Sequence, residues 1–208
     1  MSIPVDKNTL IMEVNNDTYF HTSVRGCGRT AIYLKAIEDS LTKGEGKMTE
    51  KNLWIMCGVP GSGKSYVAKT LMRNNGWAYV SRDEVRFRFL AEDEEYFAHE
   101  NDVYEIFVYE VAQALKSPEY KNVIADATHL NYGARHKLLE ALARELDLDD
   151  ITIIPIVVHS DLDTCLARNK ERTGRERVPE DVIRRMWKSF EHPSNDKYHY
   201  DGILDWSN

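Results

Sequence analysis

Residues Gly58-Val59-Pro60-Gly61-Ser62-Gly63-Lys64-Ser65 spell a Walker A pattern, and their context constrains the fold more than any other feature of the chain. The apolar run Leu53 to Cys57 comes directly before them, and a stretch with helical spacing, Lys64 to Asn74, comes directly after. Strand, glycine-rich turn and helix in that order make a cradle for phosphates. The glycines let backbone N–H groups turn inward onto phosphate oxygens, and the helix N-terminus adds positive potential. A lysine at position 64 reaches the β- and γ-phosphates, and the Ser65 hydroxyl is placed to ligate Mg²⁺. The motif therefore predicts an ATP and Mg²⁺ site formed by Val59, Pro60, Gly61, Ser62, Gly63, Lys64, Ser65 and Tyr66. The competing reading is a glycine-rich turn with an ordinary surface lysine. It leaves the strand before and the helix after unexplained.

From Leu53 onward, short apolar runs alternate with helical ones. Trp77 to Val80, Val123 to Ala125 and Ile151 to Val158 read as further buried strands, while Val103 to Lys116 and Gly133 to Leu146 read as helices. Pro179 marks the start of another, with Val182, Ile183, Met186, Trp187 and Phe190 along its apolar side. Such alternation predicts an α/β fold, a parallel sheet flanked by helices. The first 50 residues read differently. Thr9 to Val14 and Tyr19 to Val24 flank the turn-forming Asn15-Asn16-Asp17 as a hairpin does, and Ala31 to Leu41 carries apolar residues four apart. A polar stretch, Thr42 to Asn52, then reads as a linker. Residues 1–50 are thus expected to form an appendage to a domain spanning 51–208.

Composition narrows the setting. At 208 residues the chain can bury one full core, and no run approaches the roughly 18 apolar residues of a membrane span. The N-terminus lacks a basic region followed by an apolar core, so export is not expected. Cys27, Cys57 and Cys165 are widely spaced and form neither a disulfide framework nor a CxxC pair, which suits a reducing cytoplasm and a role as core filler. A net charge of −7 argues against a surface coated with Lys and Arg for sequence-independent duplex binding. It leaves room for a local basic groove. Oligomeric state has no signature.

Hydrolysis and group transfer leave different marks after the phosphate loop. A motor-type ATPase follows its second aspartate with a water-activating glutamate, whereas here the run Val123 to Ala125 ends in Asp126-Ala127. A transferase needs a carboxylate to take the acceptor's proton and cations to neutralise the moving phosphoryl group. Asp83, in Ser81-Arg82-Asp83-Glu84-Val85-Arg86 just past the strand Trp77 to Val80, sits where open α/β sheets place ligands. If a helix starts there, Arg86 shares its face. The alternative is a helix-capping aspartate with a solvent arginine.

The ordered set of the phosphate loop, Ser81 to Arg86, Ile124-Ala125-Asp126-Ala127-Thr128-His129-Leu130-Asn131, and Arg168-Asn169-Lys170-Glu171-Arg172 followed by Val178-Pro179 resembles the phage polynucleotide 5′-kinase group of P-loop kinases over about Leu53 to Phe190. The resemblance implies a P-loop kinase fold with four or five parallel strands and a C-terminal arginine lid. It implies Asp83 as general base, Arg86 as ligand of the acceptor's phosphate, Asp126 as an essential acid, and Arg172, assisted by Arg168, on the donor phosphates. Thr128 and Asn131 are weaker candidates for contact with the acceptor. The implied acceptor is the 5′-hydroxyl of a nucleic acid end. The same group holds small-molecule kinases, zeta-toxin-like proteins among them, so a nucleoside, nucleotide or sugar-nucleotide acceptor stands as an alternative, and a nucleotide-switched binding module as a third reading.

Other features carry plainer readings. The arginines from 168 to 177 are either that lid, with Gly174 as its flexible point, or a solvated helix face. Asp161-Leu162-Asp163-Thr164 superficially resembles a phosphatase nucleophile motif but has Cys165 where a threonine is expected, so it is read as a helix cap. No histidine pair has metal-ligand spacing. Tyr96, Phe97, Tyr104, Phe107 and Tyr109 are read mostly as core, with a base-stacking platform as the alternative. Glu92 to Glu95 reads as a solvated loop or face.

Overall fold

The apolar run before the phosphate loop lies inside a seven-stranded sheet ordered β2-β1-β7-β6-β3-β5-β4. A computed structural model of the chain describes residues 9–14, 18–23, 50–72, 76–91 and 94–207. The strands are β1 (Thr9–Val14), β2 (Thr18–Ser23), β3 (Lys51–Cys57), β4 (Trp77–Ser81), β5 (Asn122–Asp126), β6 (Ile151–His159) and β7 (Ile203–Ser207). The helices are α1 (Lys64–Leu71), α2 (Arg82–Phe89), α3 (Glu100–Lys116), α4 (Tyr132–Leu142), α5 (Leu162–Lys170) and α6 (Glu180–Lys188). Five strands, β3 to β7, pair in parallel, and β1 and β2 run antiparallel at one edge.

The continuous apolar character of β3 and β6 reflects burial on both faces, as parallel sheets demand. Side chains alternate across the sheet. Leu53, Ile55 and Cys57 pack with Phe107 and Val111 of α3 and Leu138 and Leu142 of α4. Trp54 and Met56 pack the other way with Val67, Ala68 and Leu71 of α1. Each fully buried Leu, Ile or Phe contributes about 1.5–3 kcal/mol, so the two layers together hold the sheet that presents the loops. A smaller cluster of Val59, Cys165, Leu166, Val178 and Ile183 packs α5 and α6 beneath the phosphate loop.

The hairpin and the α/β alternation agree with expectation. Asp161 caps α5 by accepting from the Thr164 N–H at 2.8 Å, which is the capping role expected of it. Boundaries moved by a few residues. Helix α3 begins at Glu100, before the apolar stripe that marks it, and Pro179 is the cap before α6 rather than its first residue. Strand β7 is the element not foreseen. It is recruited because Asp201, just ahead of it, takes the Ile153 N–H on its carboxylate at 2.7 Å and returns its own N–H to the Ile153 carbonyl at 3.2 Å. Strand β1 then pairs with β7, so the hairpin continues the main sheet. The helix expected over Ala31 to Leu41, most of the linker, Cys27 and Glu92 lie outside the described residues. Cys57 and Cys165 are buried and unpaired, and among the described residues no helix is long and apolar enough to cross a membrane.

Candidate active site

The C-terminal ends of β3, β4 and β5 meet at one edge of the sheet, and a cleft opens there. The phosphate loop leaves β3 through two positions that only glycine satisfies. At Gly58 (φ +151°) a Cβ would meet the Val158 carbonyl oxygen at 2.4 Å, and at Gly61 (φ +84°) the Cys165 carbonyl oxygen at 2.4 Å. The loop is therefore pressed against β6 and α5 on its back. Its open side carries the first-turn N–H groups of α1, which helix geometry leaves without intrahelical partners. A cradle of that shape fits a triphosphate.

Arg168 holds the back of the loop. One of its guanidinium nitrogens donates to the carbonyls of Gly61 and Ser62 at 3.2 Å each and to Ser160 Oγ at 3.3 Å, while Ser160 Oγ donates to the Ser62 carbonyl at 3.1 Å. Lys64 is buried and donates from Nζ to the Val59 carbonyl at 2.9 Å. Burial lowers its pKa, opposed by the charges of Asp126 and Asp83, so both carboxylates lie within electrostatic reach of the ammonium. Tyr66, by contrast, is exposed on the helix that follows.

Asp126 ends β5 in register with Ser81 of β4 and is buried. Its Oδ2 accepts from the Tyr79 hydroxyl at 2.6 Å and from Ser65 Oγ at 3.2 Å. Burial raises its pKa, against the pull of Lys64 and of the Tyr79 hydrogen bond. A serine hydroxyl beside a buried carboxylate is a pair of hard oxygen donors, the chemistry Mg²⁺ takes. Those two residues fit the ion.

Ser81 caps α2, accepting from the Glu84 N–H at 3.3 Å, which sets Asp83 in the first turn and Arg86 one turn on. Asp83 and Arg86 do share a face and are paired through Asp83 Oδ1. Asp83 is more than half exposed, but the Arg86 side chain is only 4% exposed. Arg86 also donates to both oxygens of Glu100, at 3.1 and 2.9 Å, and to the Tyr96 hydroxyl at 2.9 Å. Burial works against its charge, but Tyr96, Glu100 and Asp83 hold its pKa above the ordinary value. Tyr96 in turn donates to Asp83 Oδ1 at 2.6 Å. Arg86 is thus a strut under Asp83.

Lys64, Ser65, Asp83, Arg86, Asp126 and Thr128 line the cleft together, and Arg172, in the segment after α5, lines it as well. Arg172 reaches the Glu176 carbonyl at 3.4 Å. Asn131 is not among the lining residues, because its Oδ1 caps α4 by accepting from the Ala134 N–H at 3.0 Å. The segment between Asp126 and α4 is fixed from several sides. Gly58 N–H donates to the Thr128 carbonyl at 2.9 Å, and His129, buried at φ +37°, donates from Nδ1 to the Met56 carbonyl at 2.9 Å. Arg135 donates to the His129 carbonyl at 2.8 Å. Tyr79 and Glu100 are site residues that the sequence reading missed, and Tyr96, read there mostly as core with base stacking as the alternative, holds Asp83 through a bond that reading did not foresee. Period-2 alternation puts Tyr79 on the Ser81 face of β4, but only the β4–β5 register brings that face to Asp126. Among the described residues no cluster of three or more His, Cys, Asp or Glu could hold a metal.

A protein-family model described as an AAA domain matches residues 53–193. The chain belongs to that family. The match spans the phosphate loop, the Asp83 turn, the Asp126 strand end and the segment bearing Arg168 and Arg172. Solved structures share the fold. A chain in a structure of the Pnkp1/Rnl/Hen1 RNA repair complex is 21% identical, with a TM-score of 0.59 over 76% of this chain and 50% of that one. A putative kinase from Chloroflexus aurantiacus is 17% identical at a TM-score of 0.53, over 76% and 88% of the two chains. A fungal RNA kinase is 16% identical at 0.50, over 75% and 74%. This AAA domain chain therefore has the fold of P-loop kinases, and it spans about half the length of the RNA repair chain it matches.

Proposed function

We propose that this AAA domain protein transfers the γ-phosphate of ATP to a hydroxyl, and that its acceptor is the 5′-hydroxyl end of a DNA or RNA strand. The observation that carries the reading is the convergence of Asp83, Lys64 and Asp126 on one cleft, with Arg172 at its rim. A hydrolase needs only to orient water. Here a half-exposed carboxylate is held by Arg86 and Tyr96 within electrostatic reach of the phosphate-loop lysine, and no glutamate follows Asp126.

In this mechanism the loop N–H groups and Lys64 grip the donor phosphates, with Val59, Pro60, Gly61, Ser62, Gly63, Ser65 and Tyr66 forming the nucleotide site. Asp83 accepts the proton of the acceptor hydroxyl as its oxygen bonds to the γ-phosphorus and the bond to the bridging oxygen breaks, releasing ADP. Ser65 and Asp126 would hold Mg²⁺, which would supply charge neutralisation on the donor phosphates. Arg172 closes as the lid arginine on the transferring group, Arg168 stiffens the loop behind it, and Gly174 at φ +57° lets the lid turn. Arg86 holds Asp83 and lies near the acceptor's polar groups, and Thr128 faces the acceptor with Asn131 at the margin. The kinase domain is residues 51–208, with 1–50 as an appendage whose β1 strand extends its sheet. The buried free thiols support a cytoplasmic setting.

A second acceptor class has one observation in its favour. Glu100 pairs with both Arg82 and Arg86, so the acceptor side of the cleft carries little net positive charge and suits a small neutral molecule as well. The deciding experiment incubates the protein with labelled ATP, 5′-hydroxyl DNA and RNA oligonucleotides, free nucleosides and sugars, beside Asp83→Ala and Lys64→Ala. Label on the oligonucleotides supports the leading reading, and label on nucleosides or sugars alone replaces it with the second. Retained ATP binding with no labelled acceptor refutes both.

A further inference from the structure

Phe97 is an aromatic side chain with no evident structural reason to be where it is. It lines the same cleft as Asp83 and Lys64, yet it is 49% exposed. Leaving so much ring area in water forgoes much of the stabilisation that burying a phenylalanine supplies. Its neighbour Tyr96 is held from several sides. The ring meets the Tyr96 ring edge to face, with centroids 4.8 Å apart. Tyr96 is pinned in turn by its hydroxyl on Asp83 at 2.6 Å, by the Arg86 guanidinium 4.3 Å from its ring centroid, and by an edge contact with Phe87 at 6.2 Å. The proposed general base and the exposed ring are therefore two contacts apart on one relay, Asp83 to Tyr96 to Phe97.

From this geometry we infer that Phe97 is the stacking face for the terminal nucleobase of the acceptor, placed so that the attached 5′-hydroxyl meets Asp83. The inference rests on the kinase reading above and deepens it by assigning a specificity-determining residue. A flat, half-exposed ring in the same cleft as the carboxylate suits a planar heteroaromatic partner. It offers no hydrogen-bonding group to select one base over another, so the subsite accepts all four. An acceptor lacking a base, such as a sugar, leaves the ring in water. Tyr96 acts as a positioning residue, holding both Asp83 and the ring.

The test compares phosphorylation of two single-stranded 5′-hydroxyl oligonucleotides that differ only in whether the terminal nucleotide carries a base or is abasic. The enzymes are wild type, Phe97→Ala and Phe97→Trp. For wild type the abasic end should raise acceptor KM about 5- to 150-fold, the span that single base–aromatic stacks give, with KM for ATP unchanged. Phe97→Ala should raise KM for the ordinary end by a similar factor and abolish the difference between the ends, while Phe97→Trp restores it. Because Phe97 is half exposed, its truncation should leave folding intact, and the unchanged KM for ATP verifies that. Equal use of the two ends by wild type overturns the stacking subsite while leaving the kinase reading standing. A wild-type preference that survives in Phe97→Ala places the base elsewhere and overturns the assignment. Failure of wild type to label any oligonucleotide removes the nucleic-acid reading, and this subsite with it.

Discussion

Ser65 at the end of the phosphate loop and Asp126 at the end of β5 are joined by a hydrogen bond of 3.2 Å, although 61 positions separate them in the chain. The bond ties the phosphate loop to the carboxylate proposed to organise the metal. That carboxylate is buried, and burial raises its pKa. The ionised form is thus held at a cost to stability. Asp126→Asn keeps the shape and removes the charge, so it should be at least as resistant to urea as wild type near neutral pH while turnover falls by about 100-fold or more. Urea midpoints and Mg²⁺-dependent labelling on the same samples check this. A variant that loses both stability and activity would show that Asp126 serves mainly as scaffold.

In the proposed reaction Lys64 and Asp83 act on different steps, and their variants should separate kinetically. Lys64→Ala removes a buried cation from the donor phosphates and should weaken nucleotide binding as well as lower turnover, about 100- to 1,000-fold in all. Asp83→Asn leaves the loop untouched. It should lower kcat by about 100- to 10,000-fold with little change in KM for ATP. Steady-state kinetics at saturating acceptor distinguish the two, and a large change in ATP affinity in Asp83→Asn would argue against its role as base.

Much of this site could be read from local sequence, because the phosphate loop and the Asp83 turn are short-range devices. A glycine pattern between a strand and a helix dictates its own geometry, and the helix expected around Asp83 is there, although Ser81 rather than Asp83 caps it. Asp126 was legible for the same reason, as the polar end of an apolar strand. What stayed hidden needed register or tertiary contact. Tyr79 reaches Asp126 only through the pairing of β4 with β5, and Glu100 reaches Arg82 and Arg86 only because α3 packs against α2. Asn131 looked like a contact residue, yet its side chain is engaged as a helix cap. Tyr96 belongs to an aromatic set whose spacing suggests core, with base stacking as the alternative, and nothing in its neighbours signals a hydroxyl bonded to Asp83. Strand β7 alternates too briefly to stand out, and it exists through its partners on either side.

Arg135 and Asp196 form an ion pair with almost no exposure, 0% and 1%, through two hydrogen bonds of 2.7 and 2.6 Å. Tyr200 adds a third to the same carboxylate at 2.7 Å. The pair fastens the segment leading to β7 onto α4 and, through the His129 carbonyl, steadies the loop after Asp126. Removing one partner strands a buried charge, so Asp196→Ala should cost about 3–5 kcal/mol, whereas Arg135→Met with Asp196→Leu should cost much less. Chemical denaturation of the three proteins tests this. Equal losses in the single and double variants would mean that the pair stabilises in its own right.

His129 supplies a dependence on pH that can be worked out in sign. It is fully enclosed, and burial pushes its pKa down to about 4 from the ordinary 6.5, with the Met56 carbonyl only partly opposing. The folded state therefore holds the ring neutral where the unfolded chain protonates it. Above about pH 6.5 both states are neutral and His129 costs nothing. As pH falls from 6.5 towards 4 the unfolded state alone takes up the proton, and folding loses about 3 kcal/mol by the lower end. Below that both forms are charged and the loss stops growing. Wild type should lose stability over this interval more steeply than His129→Asn, an uncharged replacement that tolerates the positive φ at this position. Urea midpoints at pH 7.5, 6, 5 and 4.5 give the comparison, since acid effects of the many surface carboxylates cancel between the two proteins. Parallel profiles would mean that the imidazole takes up a proton in the fold as readily as in the unfolded chain, so that burial does not hold it neutral.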